Sequence, residues 1–304
     1  MFRFRSAFTA ISGLSSAIVF PTLARAEDGQ VALNMNNPSS GNWSKHKAYY
    51  WYNRATGETS WAEPDGYNCR DNLCSQDSSN KWDKRWDKMD TDTGVDSTKA
   101  VHHIVLIRHG QYCEGNDDDV DRLLTEKGIS QSLATGQRLR DLIEAGKIPR
   151  VEKFRYSTMV RASQTADLVL SKLQPMNEPG RVQPCSMIRE GACIVPEPNI
   201  SKEHWDVTET DFHRDGLRIE AAFRNYIHRA PADAKSSFTT VLVCHGNVIR
   251  YLVTRALQQD PAGWLRLSVA NGSMTLISVY PTGKVSLTNL GDVGHFQSDL
   301  ITYN

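Results

Sequence analysis

The stretch Val101-His102-His103-Ile104-Val105-Leu106-Ile107-Arg108-His109-Gly110 is a largely apolar run that ends in a cation, an imidazole and a glycine. A run of this length reads as a buried strand. Phe238–Cys244 is a second such run and ends at His245-Gly246, and Met274–Tyr280 is a third. Phe154–Ser157 fits a shorter strand. Helical periodicity covers Ile129–Ala145, Met159–Leu173 and Val248–Leu257. Strands alternating with helices predict an α/β fold with a mainly parallel sheet flanked by helices.

In such a sheet, functional groups collect beyond the carboxyl ends of the strands. Arg108-His109-Gly110 and Cys244-His245-Gly246 both lie at such ends, so His109 and His245 are expected to converge on one site. A lone histidine there is more often structural. Two, each followed by a glycine that permits a sharp turn and close ligand approach, point to chemistry. Arg108 and Arg161 supply planar donors with permanent charge, as an anion pocket requires. Arg161 opens a helical block, where the helix N-terminus adds its own anion affinity. Glu190, in Arg189-Glu190-Gly191, is the candidate general acid, its pKa raised by like charge at the anion site. The run Asp117-Asp118-Asp119 reads as a solvated loop that would repel acidic substrates.

The 304 residues have room for one large domain with extras, or for two. Hydrophobic residues at 39% and charged residues at 23% fit a packed core. Lys+Arg and Asp+Glu are both 35, which argues against a nucleic-acid partner. The six cysteines form neither a disulfide scaffold nor paired C-x-x-C zinc sites.

Residues 1–26 carry Arg3, Arg5 and Arg25 and no acid, with no charge from Ser6 to Ala24, and read as a targeting or membrane-anchor segment. A mitochondrial presequence, a weak anchor and a secretory signal ending at Ala24-Arg25-Ala26 all fit. Residues 27–41 read as a linker. Residues 42–66 are dense in aromatics: Tyr50-Trp51-Tyr52-Asn53, a turn at Thr56-Gly57, and Thr59-Ser60-Trp61 fit a strand, a turn and a strand. This small all-β segment resembles a WW domain. That resemblance implies a groove lined by Tyr50 and Trp61 that takes Pro-rich ligands. Its first loop, Lys45-His46-Lys47, would be tight or missing. Residues 67–98 read as a second linker, interrupted by Trp82-Asp83 and Trp86-Asp87. Two tryptophans four apart share a helical face. They either staple the linker to the catalytic domain or anchor a contact between chains. Cys69 and Cys74 could pair only in an oxidising compartment.

Leu106-Ile107-Arg108-His109-Gly110, the block Arg161-Ala162-Ser163-Gln164-Thr165-Ala166, Arg189-Glu190-Gly191 and Cys244-His245-Gly246 follow the motif order of the histidine phosphatase superfamily, whose fold is phosphoglycerate-mutase-like. Residues 99–304 resemble that family, most closely its mitochondrial serine/threonine protein phosphatase members. Tyr112, Asn247–Tyr251, Trp264-Leu265-Arg266, Asn271-Gly272-Ser273 and Leu290-Gly291-Asp292 add to the likeness. The resemblance implies metal-independent, cofactor-free hydrolysis in two steps. His109 would become a phosphohistidine, Arg108, Arg161 and His245 would hold phosphate oxygens, and Glu190 would serve as acid and then base. Phosphoproteins would be the substrates. Trp82, Asp83, Trp86 and Asp87 resemble an oligomerisation motif, which implies a homo-oligomer, and the location implied is the mitochondrion, with membrane association. Gly246 stands where the nearest members carry Ala. Other readings are a small-metabolite phosphatase or mutase of the same fold, and a WW-based adaptor with weak catalysis.

Overall fold

The computed structural model describes residues 82–89, 99–115, 118–176, 178–198 and 207–303, and the backbone of three strands before them. The expected targeting segment, the first linker, Trp61, Cys69 and Cys74 lie outside the described residues. The chain divides into two compact units, 1–76 and 77–304.

In the first unit, β1 (Trp43–His46), β2 (Tyr50–Asn53) and β3 (Thr59–Ser60) form a three-stranded antiparallel sheet. Lys45 and His46 were expected in the first loop but belong to β1, and pairing of His46 with Tyr50 confines the connection to 47–49. Tyr52 pairs with Thr59 across the second hairpin.

The second unit is built on a six-stranded sheet. Its strands are β4 (His102–Arg108), β5 (Val151–Ser157), β6 (Val182–Cys185), β7 (Phe238–Cys244), β8 (Met274–Val279) and β9 (Val285–Asp292). The order is β6-β5-β7-β4-β8-β9. Pairs β4–β7, β5–β7 and β5–β6 are parallel; β8 and β9 join antiparallel at one side. Side chains alternate between the two faces of each strand. Ile104, Leu106 and Leu242 therefore pack on one side with α3 (Glu209–Tyr226) and α4 (Gly246–Ala256). Val105, Ile107, Val241 and Val243 pack on the other with α1 (Glu126–Glu144) and α2 (Val160–Leu170). Burial on both faces accounts for the unbroken apolar runs.

Helix ends follow local chemistry. The Thr125 side chain accepts from Gly128 N–H, so α1 starts three residues before the expected Ile129. α3 opens on a capping box in which Thr208 and Asp211 satisfy each other's backbone. Its buried stripe includes a carboxylate: Glu220 is held by Arg224, Arg255 and the Tyr251 hydroxyl.

The segment with the two Trp-Asp pairs is docked on its own catalytic unit. The indole N–H groups of Trp86 and Trp82 both donate to Gly283 O, at 2.8 and 3.3 Å. Trp86 is buried and tilts against Phe223, with centroids 5.8 Å apart. Asp87 forms a buried ion pair with Arg229, and Asp83 N–H donates to Gln258. The segment forms a turn rather than a helix, and the shared carbonyl is what brings the two indoles together. A Cβ at Gly283, where φ is +81°, would collide with Lys84 O. Trp86→Ala should open a cavity and cost about 3–5 kcal/mol in chemical unfolding. For docking within one chain, that loss should not depend on protein concentration.

His102 is fully buried, stacked on Phe238 at 4.3 Å between centroids. Its Nδ1 lies 2.8 Å from His228 O, which can only accept, so Nδ1 carries the ring hydrogen and Nε2 accepts from Thr240 Oγ1. Burial holds its pKa down to about 3. The unfolded chain then binds a proton below about pH 6.5 that the folded chain refuses. Stability contributed by neutral His102 is thus complete above that value and is lost as pH falls toward 3, by about 1.4 kcal/mol per pH unit. His102→Gln should remove about one proton from the pH dependence of unfolding between pH 6 and 4.

Candidate active site

Strands β4 and β7 run parallel with Arg108 opposite Cys244, so the next residue of each, His109 and His245, leaves the sheet at the same level. His109 N–H donates to Cys244 O at 3.0 Å, and His109 O accepts from Gly272 N–H at 3.0 Å. The backbone of His109 is fixed on both sides. Gly110 is required by packing: a Cβ there would collide with Gly128 O in the first turn of α1. Close approach of a helix, rather than of a ligand, is therefore the reason for this glycine. Gly246 differs, because a Cβ would meet the Arg108 side chain no closer than 3.4 Å, at Nε, an ordinary contact.

The two imidazoles face each other with centroids 5.0 Å apart. His109 Nδ1 lies 2.8 Å from Gly110 O, so Nδ1 carries the hydrogen. Nε2 keeps its lone pair and accepts from Arg161 Nε at 3.3 Å. His245 Nε2 is 2.7 Å from Ser157 Oγ, at the end of β5. Ser157 Oγ accepts from Met159 N–H and can donate to Nε2. With Ser157 as the donor, the ring hydrogen of His245 sits on Nδ1, which has no hydrogen-bond partner among the described residues. Burial, then the neighbouring arginines, hold His109 well below the usual histidine range. Burial and then His109 itself do the same to His245. Both rings are neutral near pH 7.

Arg108 and Arg161 are buried beside them. Arg108 Nη1 donates to Val269 O at 2.7 Å. Burial lowers its pKa to about 10, and it stays charged. Arg161 is the second residue of α2 and lies over the Tyr112 ring at 4.7 Å. Tyr112 in turn meets His109 edge-on. Glu190 sits on the loop after the turn Ser186–Ile188 and is half-buried. Its pKa is raised, and the cause is burial rather than the like charge expected from sequence; Gly191 N–H and the two arginines pull it the other way. The structure thus brings His109, His245, Arg108, Arg161 and Glu190 together.

Asp119 is not the solvated residue that the acidic run suggested. Its carboxylate accepts from Arg161 Nη1 at 3.2 Å and from Val160 N–H at 3.2 Å. It serves as the anion at the N-terminus of α2, where Met159 offers no side-chain cap. Asp118 is exposed, and Asp117 lies outside the described residues. Sequence reasoning also missed Ser157, although the strand-end rule that found both histidines applies to it. Tyr50 contributes backbone to β2, its side chain lying outside the description, as does Trp61 altogether. Among the described residues, no group of three His, Cys, Asp or Glu side chains could hold a metal ion.

The family model described as the histidine phosphatase superfamily (branch 1) matches residues 104–190 and 198–291. The chain is 41% identical over 246 residues to the serine/threonine-protein phosphatase Pgam5, mitochondrial, of Drosophila willistoni, covering 80% of this chain and 81% of the relative. It is 44% identical over 205 residues to the protein of the same name from Drosophila yakuba, covering 67% and 68%. Among solved structures, a phosphoglycerate mutase from Plasmodium falciparum matches 67% of this chain and 99% of its own, at 25% identity and a TM-score of 0.43.

The carboxylate of Asp119 shares donors with any anion that reaches Arg161. Asp119→Asn keeps an acceptor for Arg161 and removes the charge. Competitive inhibition by inorganic phosphate should then tighten about fivefold, the scale of one partly exposed ion pair. Weaker inhibition would mean that Asp119 mainly orients Arg161.

Proposed function

Because this chain belongs to the histidine phosphatase superfamily, we propose that it is a phosphoric monoester hydrolase that works through a phosphohistidine on His109 and removes phosphate from phosphoserine and phosphothreonine in proteins. The observation that carries the reading is the tautomer of His109. With Nδ1–H held by Gly110 O, the lone pair on buried Nε2 faces the guanidinium of Arg161. A neutral imidazole in this state is a ready nucleophile.

In the first step Nε2 attacks phosphorus and the phosphorus–oxygen bond to the substrate breaks. Arg108, Arg161 and the unpartnered Nδ1–H of His245 bind the equatorial oxygens, where charge gathers. Glu190, whose pKa burial raises, gives its proton to the leaving alkoxide. In the second step water attacks the phosphohistidine, the phosphorus–nitrogen bond breaks, and the Glu190 carboxylate takes a proton from the water. Protein substrates are supported by the relatives' name, given at 41% identity over most of both chains.

The rest of the reading extends from the catalytic unit. Residues 42–66 recruit Pro-rich partners through Tyr50 and Trp61, for which the three antiparallel strands give support. A homo-oligomer rests on the likeness of the Trp82–Asp87 segment to an oligomerisation motif. A mitochondrial location is supported by the relatives' name and by the arginines of residues 1–26, and membrane association rests on the uncharged run from Ser6 to Ala24. No helix among the described residues is long and apolar enough to cross a membrane. A tagged chain imaged in the secretory pathway would replace that location.

Rapid quenching with labelled phosphoserine peptide should trap an acid-labile, alkali-stable label on the wild-type chain and none on His109→Ala. That variant should lose at least about a thousandfold in kcat/KM. Sugar phosphates turned over faster than phosphopeptides would move the substrate to a small metabolite. Full activity in His109→Ala would remove the mechanism.

A further inference from the structure

Four of the five site residues are placed by the sheet or by the first turn of a helix leaving it. Glu190 alone sits on a loop, and a loop by itself does not hold a proton donor to the tolerance that proton transfer demands. The fixing comes from α3. Asp215 and Arg218 are three apart and share one face of that helix. Arg218 Nη1 donates to Arg189 O at 2.6 Å and to Met187 O at 3.0 Å, and Nη2 donates to Glu190 O at 3.1 Å. The same Nη2 is tied to Asp215 Oδ1 at 3.2 Å. Asp215 Oδ2 accepts from Ala192 N–H at 3.1 Å. One guanidinium and one carboxylate thus hold the chain on both sides of Glu190.

The fit leaves no spare room. A Cβ on Gly191 would lie 2.5 Å from the Asp215 carboxyl carbon and 2.6 Å from Arg218 Nη2. A Cβ on Gly216, in the middle of α3, would lie 2.5 Å from Cys193 O. Two glycines, one on the loop and one on the helix, let the backbones approach. Gly191 N–H then donates to Glu190 Oε1 at 3.1 Å, which orients the carboxyl itself. Neither Asp215 nor Arg218 makes a hydrogen bond to that carboxyl.

We infer that Asp215 and Arg218 are positioning residues that set where Glu190 delivers its proton. The inference rests on the role of Glu190 given above. A misplaced acid harms a reaction in proportion to how badly the leaving group needs a proton. The alkoxide of a phosphoserine peptide needs one; para-nitrophenolate scarcely does. The kcat/KM value reports the first irreversible step, transfer to His109, for both substrates.

The experiment compares Arg218→Met, Gly191→Ala and Glu190→Gln in the full-length chain, on phosphoserine peptide and para-nitrophenyl phosphate. Arg218→Met should lower kcat/KM for the peptide at least about tenfold, part of the roughly hundredfold or more that a general acid supplies, and lower it less than about threefold for para-nitrophenyl phosphate. Gly191→Ala should show the same pattern, and Glu190→Gln should show it more strongly. Equal losses on both substrates, or no loss, in a folded Arg218→Met overturn the inference. If Arg218→Met lacks a cooperative thermal transition, Gly191→Ala and Asp215→Ala decide by the same criterion. Absence of the pattern in Glu190→Gln itself overturns the acid role of Glu190, and this inference with it.

Discussion

The in-register pairing of β4 with β7 is the constraint on which the site depends. Both strands are buried on both faces, so every residue from Ile104 to Ile107 is committed to one core or the other. A slip of one residue would turn each side chain to the wrong face and move a histidine by about 3.3 Å along the strand. The core therefore fixes where the two imidazoles meet, at 5.0 Å between centroids. The same burial then sorts the site's charges. An imidazole begins near neutrality, and desolvation beside two cations is enough to keep it unprotonated. A guanidinium begins far higher, and comparable desolvation brings Arg108 only to about 10. One environment thus yields a neutral nucleophile and a charged clamp.

α3 ties separate parts of the catalytic unit together. Its middle turns hold the Glu190 loop through Asp215 and Arg218. Further along, Phe223 packs on Trp86 and Arg224 donates to Trp86 O. Between them, buried Glu220 is compensated by Arg224, Arg255 and Tyr251. A buried carboxylate stripped of one partner is strongly destabilising, so this cluster, together with the apolar stripe, fixes α3 against α4. The Trp-Asp segment is seated with comparable economy. Two indole donors meet one carbonyl, and Asp87 is closed off by Arg229.

The parts legible in the sequence were those with a strong period or a strong punctuation. Apolar runs that stop at His-Gly marked β4 and β7, and α/β alternation gave the sheet. α3 went unread because its buried stripe includes Glu220 and Asp215, which resemble a solvated face until their arginines are placed. β6 and β9 lie at the sheet edges, where burial is partial and the apolar signal is weak. Asp119 reads as solvated loop because nothing in a run of three aspartates says which one turns inward. Arg218 shows in the sequence only as an i,i+3 partner of Asp215: its other partners are backbone carbonyls of a loop some 30 residues earlier, and backbone acceptors leave no trace in sequence.

The expected cause of the raised Glu190 pKa was like charge, and in the free site the cause is burial. The two causes act at different moments. Before substrate arrives, Arg108 and Arg161 pull the carboxyl toward ionisation, and desolvation outweighs them. Asp119 already offsets part of the charge on Arg161. A phosphate group adds negative charge beside both guanidiniums, so their pull on Glu190 weakens and a like-charge push is added. Both changes favour the protonated carboxyl. On the proposed mechanism, binding therefore strengthens the acid in the state that the first step consumes. Once the alkoxide has left with the proton, Glu190 becomes a carboxylate beside two guanidiniums, and its accepting a proton from water restores the buried neutral form.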